Sequence, residues 1–355
     1  MDMNDEPLIR WDIGTAYDFF ASLVVLHNPE RYGLRGSWAA GVRSRLPAAE
    51  REMLQRCWEV LWPMRWVYSL PAPKDAATAL AVLGAAPAET RLRAAVAALP
   101  AAADATLYAV AARRAWDESD VRHLAGLMQE GDWRLQPPAT VRQLATAALN
   151  MWADPEGSAD ALLSALTCYH EVFFAEEEAR IRPRLDSAQA YAQALAARLP
   201  QPALLEELSQ GLRLATEPRA RRLVLAPSFW ATPFVVLTTL DEETALFVYG
   251  ARPADMSLVP GELVPDALYQ ALKALADPTR LRILRYLSDE PLTPAALARR
   301  LRLRSPTVIH HLDALRLARL VILTLEPEGK RYAVRPDALA TVFELLTTFV
   351  AGGEE

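Results

Sequence analysis

Thr307, His310 and Ala314 recur at three- and four-residue spacing near the end of the chain, with Ile309 and Asp313 beside them and Arg304 just ahead. On a helix they share one outward surface of short side chains, polar at its first turn. Short side chains permit close approach to another molecule, and hydroxyl, imidazole and guanidinium groups pair with donor and acceptor edges. A helix that enters a major groove by its N-terminus needs this kind of surface. Val308, Leu312, Leu315 and Arg319 fall on the opposite side, which is the side expected to pack on a domain.

The elements that must hold this helix are announced by three dipeptides, Asp277-Pro278, Thr293-Pro294 and Ser305-Pro306. Each sets a capping oxygen before a proline whose fixed backbone angle suits the first helical position. After Pro278, Leu281, Leu284 and Leu287 supply an apolar stripe and Arg280, Arg282 and Arg285 the remaining surface. After Pro294, Leu297, Ala298 and Leu301 form a narrow apolar face with Arg299 and Arg300 off it. Arg302-Leu303-Arg304 is then short enough to be a helix-turn-helix corner. Val321 to Leu325 has the β-branched content of a strand, Glu326 to Gly329 breaks it, and Lys330 to Val334 returns. A helix-turn-helix followed by a basic-tipped hairpin is a winged helix. Asp337 to Val350 places Leu339, Val342, Phe343, Leu346 and Phe349 on one helical face, which either closes the domain or forms a subunit seam.

At these residues the chain resembles the ArsR-type winged-helix repressors, through LADPTRLRIL at 275–284, SPTVIHHLDALRLARLV at 305–321 and EGKRY at 328–332. The resemblance covers the last quarter. It implies that Arg304, Ser305, Thr307 and His310 contact DNA, that Arg316 neutralises a phosphate, and that Lys330 and Arg331 form the wing tip. Ile309 stands where the family has a small polar residue, which suggests an apolar contact such as a thymine methyl. Arg319 stands where glycine is common, so the corner into the wing is expected to differ. His311 lies on the flank of the packed face, where a structural hydrogen bond is the expected role.

Metal sensing, the best-known activity of that family, finds no ligand set here. Pro291 to Leu303 has no Cys, the final helix offers Asp337 and Glu344 without His, and the two cysteines, Cys57 and Cys168, have no CxxC partner. Both read as core residues, and two lone thiols suit a reducing compartment. No cofactor motif is present. The net charge of −6 looks wrong for a DNA partner until it is divided. Thr279 to Arg335 holds twelve Lys or Arg against five Asp or Glu, whereas residues 1–261 hold 25 against 32. No apolar run is long enough to span a membrane, the N-terminus lacks a cleavable leader pattern, and abundant Arg and Ala suggest a GC-rich bacterial gene.

The chain ahead of this module reads as mainly helical to about residue 215. Ala76 to Leu83, Thr90 to Leu99 and Ala103 to Ala115 are short helices between prolines and glycines, and Thr15 to Leu26 is a longer one. Pro7 to Ile13 suits a strand. Leu223 to Leu225, Phe234 to Leu237 and Ala245 to Tyr249 read as a meander or hairpin, with Asp241-Glu242-Glu243 as the turn, and Pro253 to Pro265 as the connector. Segments 10–23 and 173–185 resemble helical extensions fused to some long ArsR-like regulators, which implies architecture without a ligand.

Trp58, Trp62 and Trp66, four residues apart, either wall an aromatic or cationic ligand site or fill core. His170-Glu171 with Glu176, Glu177 and Glu178 lacks HExxH spacing and reads as a solvated acidic face. Asp12, Ser22 and His27 come without a nucleophile elbow or phosphate loop, so no catalytic residue is assigned.

The expected fold is mainly α with a small β-sheet: a helical α+β part over residues 1–215, a hairpin and linker at 216–262 belonging to it, and a winged helix-turn-helix at 263–355. The expected function is that of a cytoplasmic bacterial regulator, a homodimeric repressor on double-stranded operator DNA. Its upstream part would serve dimerisation or sensing of a small-molecule effector. The alternatives are a protein-interaction scaffold built on a winged helix and a metal- or small-molecule-responsive sensor.

Overall fold

Tyr17, Phe19, Phe20, Leu23, Val25 and Leu26 point in every direction around one helix, and a helix apolar on all sides must be buried on all sides. In the computed structural model, which describes residues 8–61, 63–95, 99–130, 133, 137–214, 220–259, 262–326 and 329–351, this helix runs through the middle of the larger part. The chain opens with β1 (Leu8–Trp11) and the buried α1 (Ala16–His27). There follow α2 (Gly36–Arg43), α3 (Ala48–Cys57), α4 (Met64–Ser69), α5 (Ala76–Ala85), α6 (Ala88–Ala95), α7 (Asp104–Arg113), α8 (Glu118–Glu130), α9 (Pro138–Trp152) and α10 (Pro155–Tyr169), of which α2, α4 and α5 pack on α1 and α7 and α8 on α9. A wide turn at His170–Phe174 leads into α11 (Ala175–Ala196) and α12 (Gln201–Leu208).

Next come β2 (Leu212–Leu214), β3 (Arg222–Ser228), β4 (Val236–Thr239) and β5 (Thr244–Gly250). Four strands form one sheet in the order β1-β3-β5-β4, with β1, β3 and β5 parallel and β4 antiparallel to β5. The strands from 222 onward thus form a hairpin and a parallel pairing rather than a meander. The expected strand at 7–13 is seen over Leu8–Trp11, Pro7 lying outside the described residues.

The last quarter contains α13 (Asp266–Leu275), α14 (Pro278–Asp289), α15 (Pro294–Leu301), α16 (Ser305–Leu317), β6 (Val321–Glu326), β7 (Gly329–Val334) and α17 (Ala338–Ala351). Its core is built by Ile283, Leu287, Leu297, Leu301, Val308, Leu312, Leu315, Leu323 and Tyr332. The stripe of α14 is rotated from the expected one: Ile283 and Leu287 are buried, whereas Leu281 is 48% exposed. Three-residue spacing drifts around a helix of 3.6 residues per turn, and packing selected the pair four apart. Strand β2 was not legible at all. It pairs parallel with β6, Leu212 opposite Leu323, so the wing sheet has the order β2-β6-β7 and Leu212 enters the winged-helix core.

Other expectations change in the extension. Trp58 caps α3 and Trp66 lies in α4, so they do not share one helix; Trp62 lies outside the described residues. Trp58 stacks on His27 and Trp66 meets Phe20 edge-on, both as packing contacts. Glu177 and Glu178 turn inward instead of facing solvent. Glu177 pairs with Arg180 at 2.7 Å, and Glu178 accepts from Thr15 and from the Ala76 N–H. Asp12, Ser22 and His27 are each engaged elsewhere, with Lys74, Tyr169 and the Leu23 carbonyl. Cys57 is buried and Cys168 partly exposed.

The most deeply placed charge is Asp18 on α1, fully buried, its Oδ1 accepting from Ser228 Oγ and the Trp230 N–H at 2.7 Å each. Oδ2 has no partner. Burial pushes the carboxyl from 3.8 up to about 7, against the opposing pull of those hydrogen bonds. Between these values the folded chain keeps a proton that the unfolded chain has released, so this group's contribution falls as pH rises from about 4 to about 7. Asp18→Asn keeps an acceptor and removes the titration. Its thermal midpoint relative to the wild type should therefore be higher at pH 8 than at pH 5, and parallel melting scans would show no such change if Asp18 were ionised throughout.

Candidate nucleic-acid interface

Asp277 begins the site by accepting two backbone N–H groups, from Thr279 at 2.8 Å and Arg280 at 3.0 Å. Thr293 does the same for α15 through the Ala296 N–H at 3.2 Å. These caps fix where α14 and α15 start. Arg280 folds back on the preceding helix, donating to the carbonyls of Ala274 and Lys273, a favourable place for a cation at a helix C-terminus. It holds the α13–α14 corner and is not available as a free surface charge.

The third start works differently. Ser305 is already the first helical residue of α16, the residue before it is the extended Arg304, and no side chain caps the helix. The Ser305 hydroxyl is left exposed and uncommitted, as are the side chains of Arg304, Thr307, Ile309 and His310 on the same turns. Among the described residues none of these five makes a side-chain hydrogen bond or ion pair. Pro306 has no N–H and the Val308 N–H bonds the Arg304 carbonyl, so the N–H groups of Ser305 and Thr307 with a free guanidinium are what make this end attractive to anionic oxygens. Ile309 is 44% exposed, an apolar spot in an otherwise polar first turn.

The opposite side of α16 is closed. Val308, Leu312 and Leu315 are fully buried, as their spacing requires. His311 is half-buried on the flank, its Nδ1 without a partner among the described residues and its ring held below the ordinary histidine value by burial. The structural hydrogen bond expected of it is not formed at Nδ1.

Further along α16 the extension takes over. The guanidinium of Arg316 lies 5.6 Å from the ring centre of Phe234, and that of Arg31 lies 5.3 Å from the same ring. Tyr32 meets Phe234 edge-on at 5.2 Å. Burial lowers the Arg316 guanidinium from its usual value. Gln270 on α13 donates to the Gly33 carbonyl at 2.7 Å next to this contact. Gly33 sits at φ 78°, and a Cβ there would fall 2.4 Å from the Gln270 amide, so both backbone and space require glycine. Nothing in the spacing of α16 signals that Pro29–Tyr32 and Phe234 would meet it.

On the wing, Lys330 is exposed and makes no ion pair among the described residues. Arg331 is engaged: its Nε donates to both carboxylate oxygens of Glu326 at 3.1 Å, and Nη1 reaches the Pro291 carbonyl at 3.4 Å. Pro327 and Glu328, part of the expected turn, lie outside the described residues. The Leu292 backbone exchanges hydrogen bonds of 2.9 Å with Tyr332, tying the start of α15 to β7. The site residues thus divide into an open set, Arg304 to His310 with Lys330, and two arginines held by intramolecular partners.

Among the described residues no helix is long and apolar enough to cross a membrane. A helix-turn-helix domain model matches residues 275–324, from the end of α13 into β6. The chain is 43% identical over 79 residues to the HTH-type transcriptional regulator CmtR of Mycobacterium bovis and to that of Mycobacterium tuberculosis, a match covering 22% of this chain and 67% of each relative. Among solved structures, NolR from Sinorhizobium fredii aligns at 26% identity with a TM-score of 0.21, over 25% of this chain and 88% of that one. By the first two matches the chain belongs to the helix-turn-helix transcriptional regulators, its last quarter an ArsR-like winged helix and the rest a long N-terminal extension.

Proposed function

We propose that the chain is a homodimeric repressor of ArsR type, without a metal-sensing site, that reads double-stranded operator DNA through α16. The observation that carries this reading is the open first turn of α16, where Arg304, Ser305, Thr307 and His310 are exposed and uncommitted beside Lys330. Residues 263–355 act as the DNA-reading unit. Residues 1–215 with the strand-rich 216–262 act as a unit for dimerisation or sensing, in the cytoplasm of a bacterium, with no catalytic role. Thr307 and His310 reach base edges, Ile309 meets a thymine methyl, and Arg304 and Lys330 neutralise phosphates. Arg316 and Arg331, held by Phe234 and by Glu326, contribute less unless those contacts open.

Dimerisation is supported by the apolar side chains that α13 and α17 leave exposed. Tyr269, Leu272, Leu339, Phe343 and Phe349 are each at least 40% exposed, and Val350 is 74% exposed. Two copies would then set their α16 helices roughly 34 Å apart, one turn of DNA.

Selection of bound genomic fragments with the purified protein supplies the operator, and titrations on it test the contacts. Arg304→Ala and Lys330→Ala should each reduce the slope of log affinity against log salt by about 0.9, the value for one lost phosphate contact. Arg331→Ala should change it less. A slope untouched by the first two variants would remove the DNA-reading role from this surface. In a separate measurement of mass in solution, the wild type should run at twice 39.2 kDa and Leu339→Glu with Phe343→Glu at 39.2 kDa. A wild-type monomer at micromolar concentration would refute the dimer.

A further inference from the structure

Between the extension and the winged helix lies a cavity of about 430 Å³, within the range of small-molecule sites. The extension provides α11, the end of α12 and the end of β5 with the residues after it. The winged helix provides α13, the corner after α16, the residue after β7 and one face of α17. Its polar lining is one-sided. Arg184, Arg252, Arg319 and Arg335 face it, with Glu207 as the single lining carboxylate among the described residues.

These cations are poorly neutralised. The Arg252 side chain is 4% exposed, and its Nη1 makes no hydrogen bond among the described residues. Asp266 is 3.3 Å from it, but that carboxylate already accepts from the Leu258 N–H at 2.7 Å and from Ser257 Oγ at 3.1 Å. Glu207 stands 3.9 Å from Arg335, a loose pair. The Arg319 side chain has no hydrogen bond or ion pair among the described residues. Burial, with Arg252 and Arg335 adding repulsion, lowers the Arg319 guanidinium to about 9, so it stays charged at neutral pH in an unfavourable place. Arg319 is only partly exposed and, among the described residues, unpaired; a guanidinium so placed is costly, and an anion in the cavity lowers that cost.

The backbone makes the same point independently. Arg319 has φ 58°, in the left-handed region where a side chain is strained by about 1 kcal/mol and glycine is not. The chain places its bulkiest cation at a position that favours glycine, and the side chain lines the cavity.

We infer that this cavity binds a small organic anion, a carboxylate or phosphate head held between Arg252 and Arg319 with an apolar body against Tyr249, Leu208 and Val342. Both halves of the chain wall the site, so an occupant that prefers one arrangement of them shifts their relative position. Transmission to DNA rests on the DNA-reading proposal above; binding of the anion does not, and is measured on protein alone.

The test is calorimetric titration of the full chain with 1-naphthoate, 1-naphthyl phosphate, 1-naphthalenemethanol and inorganic phosphate. The expected result is binding of at least one naphthyl anion, at least tenfold tighter than the neutral alcohol. The preferred head distinguishes carboxylate from phosphate. Arg319→Gly suits the backbone and should fold, with an unliganded melting midpoint equal to or above the wild type, yet lose at least tenfold in affinity. Arg319→Lys should keep part of it. The inference is overturned if neither naphthyl anion binds at millimolar concentration, if the alcohol binds equally well, or if Arg319→Gly binds like the wild type. Inorganic phosphate binding as tightly as the naphthyl anions would overturn the apolar half of the site.

Discussion

The parallel pairing of Leu212–Leu214 with Leu323–Leu325 is the contact on which the arrangement of the two halves depends. It adds a strand of the extension to the wing sheet and drives Leu212 into the winged-helix core, so the two parts share backbone hydrogen bonds as well as apolar area. Without it the sheet edge at β6 would be open, and an open edge invites unwanted pairing. The same docking brings Phe234 to Arg316 and Gly33 to Gln270, and it encloses the arginine-lined cavity.

Helix α16 consequently has two regimes. Its first turn is free because Ser305 entered the helix instead of capping it, and every outward side chain up to His310 is uncommitted. Its later turns belong to the extension, where two guanidiniums face one aromatic ring. Such contacts are worth on the order of 1 kcal/mol, enough to bias a conformation and weak enough to be exchanged for phosphate. These contacts give a short physical path between the extension and α16.

The extension is less a passive scaffold than its composition suggests. Buried charge recurs in it: Asp18 under the sheet, Glu177 against Arg180, and Arg252 against an already engaged Asp266. Charges of this kind persist where they are hydrogen-bonded, and most are. Arg252 and Arg319 stand apart: Nη1 of Arg252 has no hydrogen bond and the Arg319 side chain has no partner among the described residues, and both line the cavity.

How much was legible follows from the range of the forces involved. The cap-proline pairs, the buried faces of α15 and α16 and the wing hairpin are written in local spacing, because caps and amphipathic periods act within one or two turns. Even there packing had a vote: it chose Ile283 over Leu281, and it left Ser305 without a capping role. The open set from Arg304 to His310 was readable because an uncommitted surface is simply the complement of a periodic apolar face. The holding of Arg316 by Phe234, the β2–β6 pairing and the convergence of Arg252, Arg319 and Arg335 join residues far apart in the chain, and no local pattern encodes them. The sequence by itself determined which helices form and which faces they bury. Only the tertiary structure decided which cations remain free, because that depends on what long-range packing brings alongside each one.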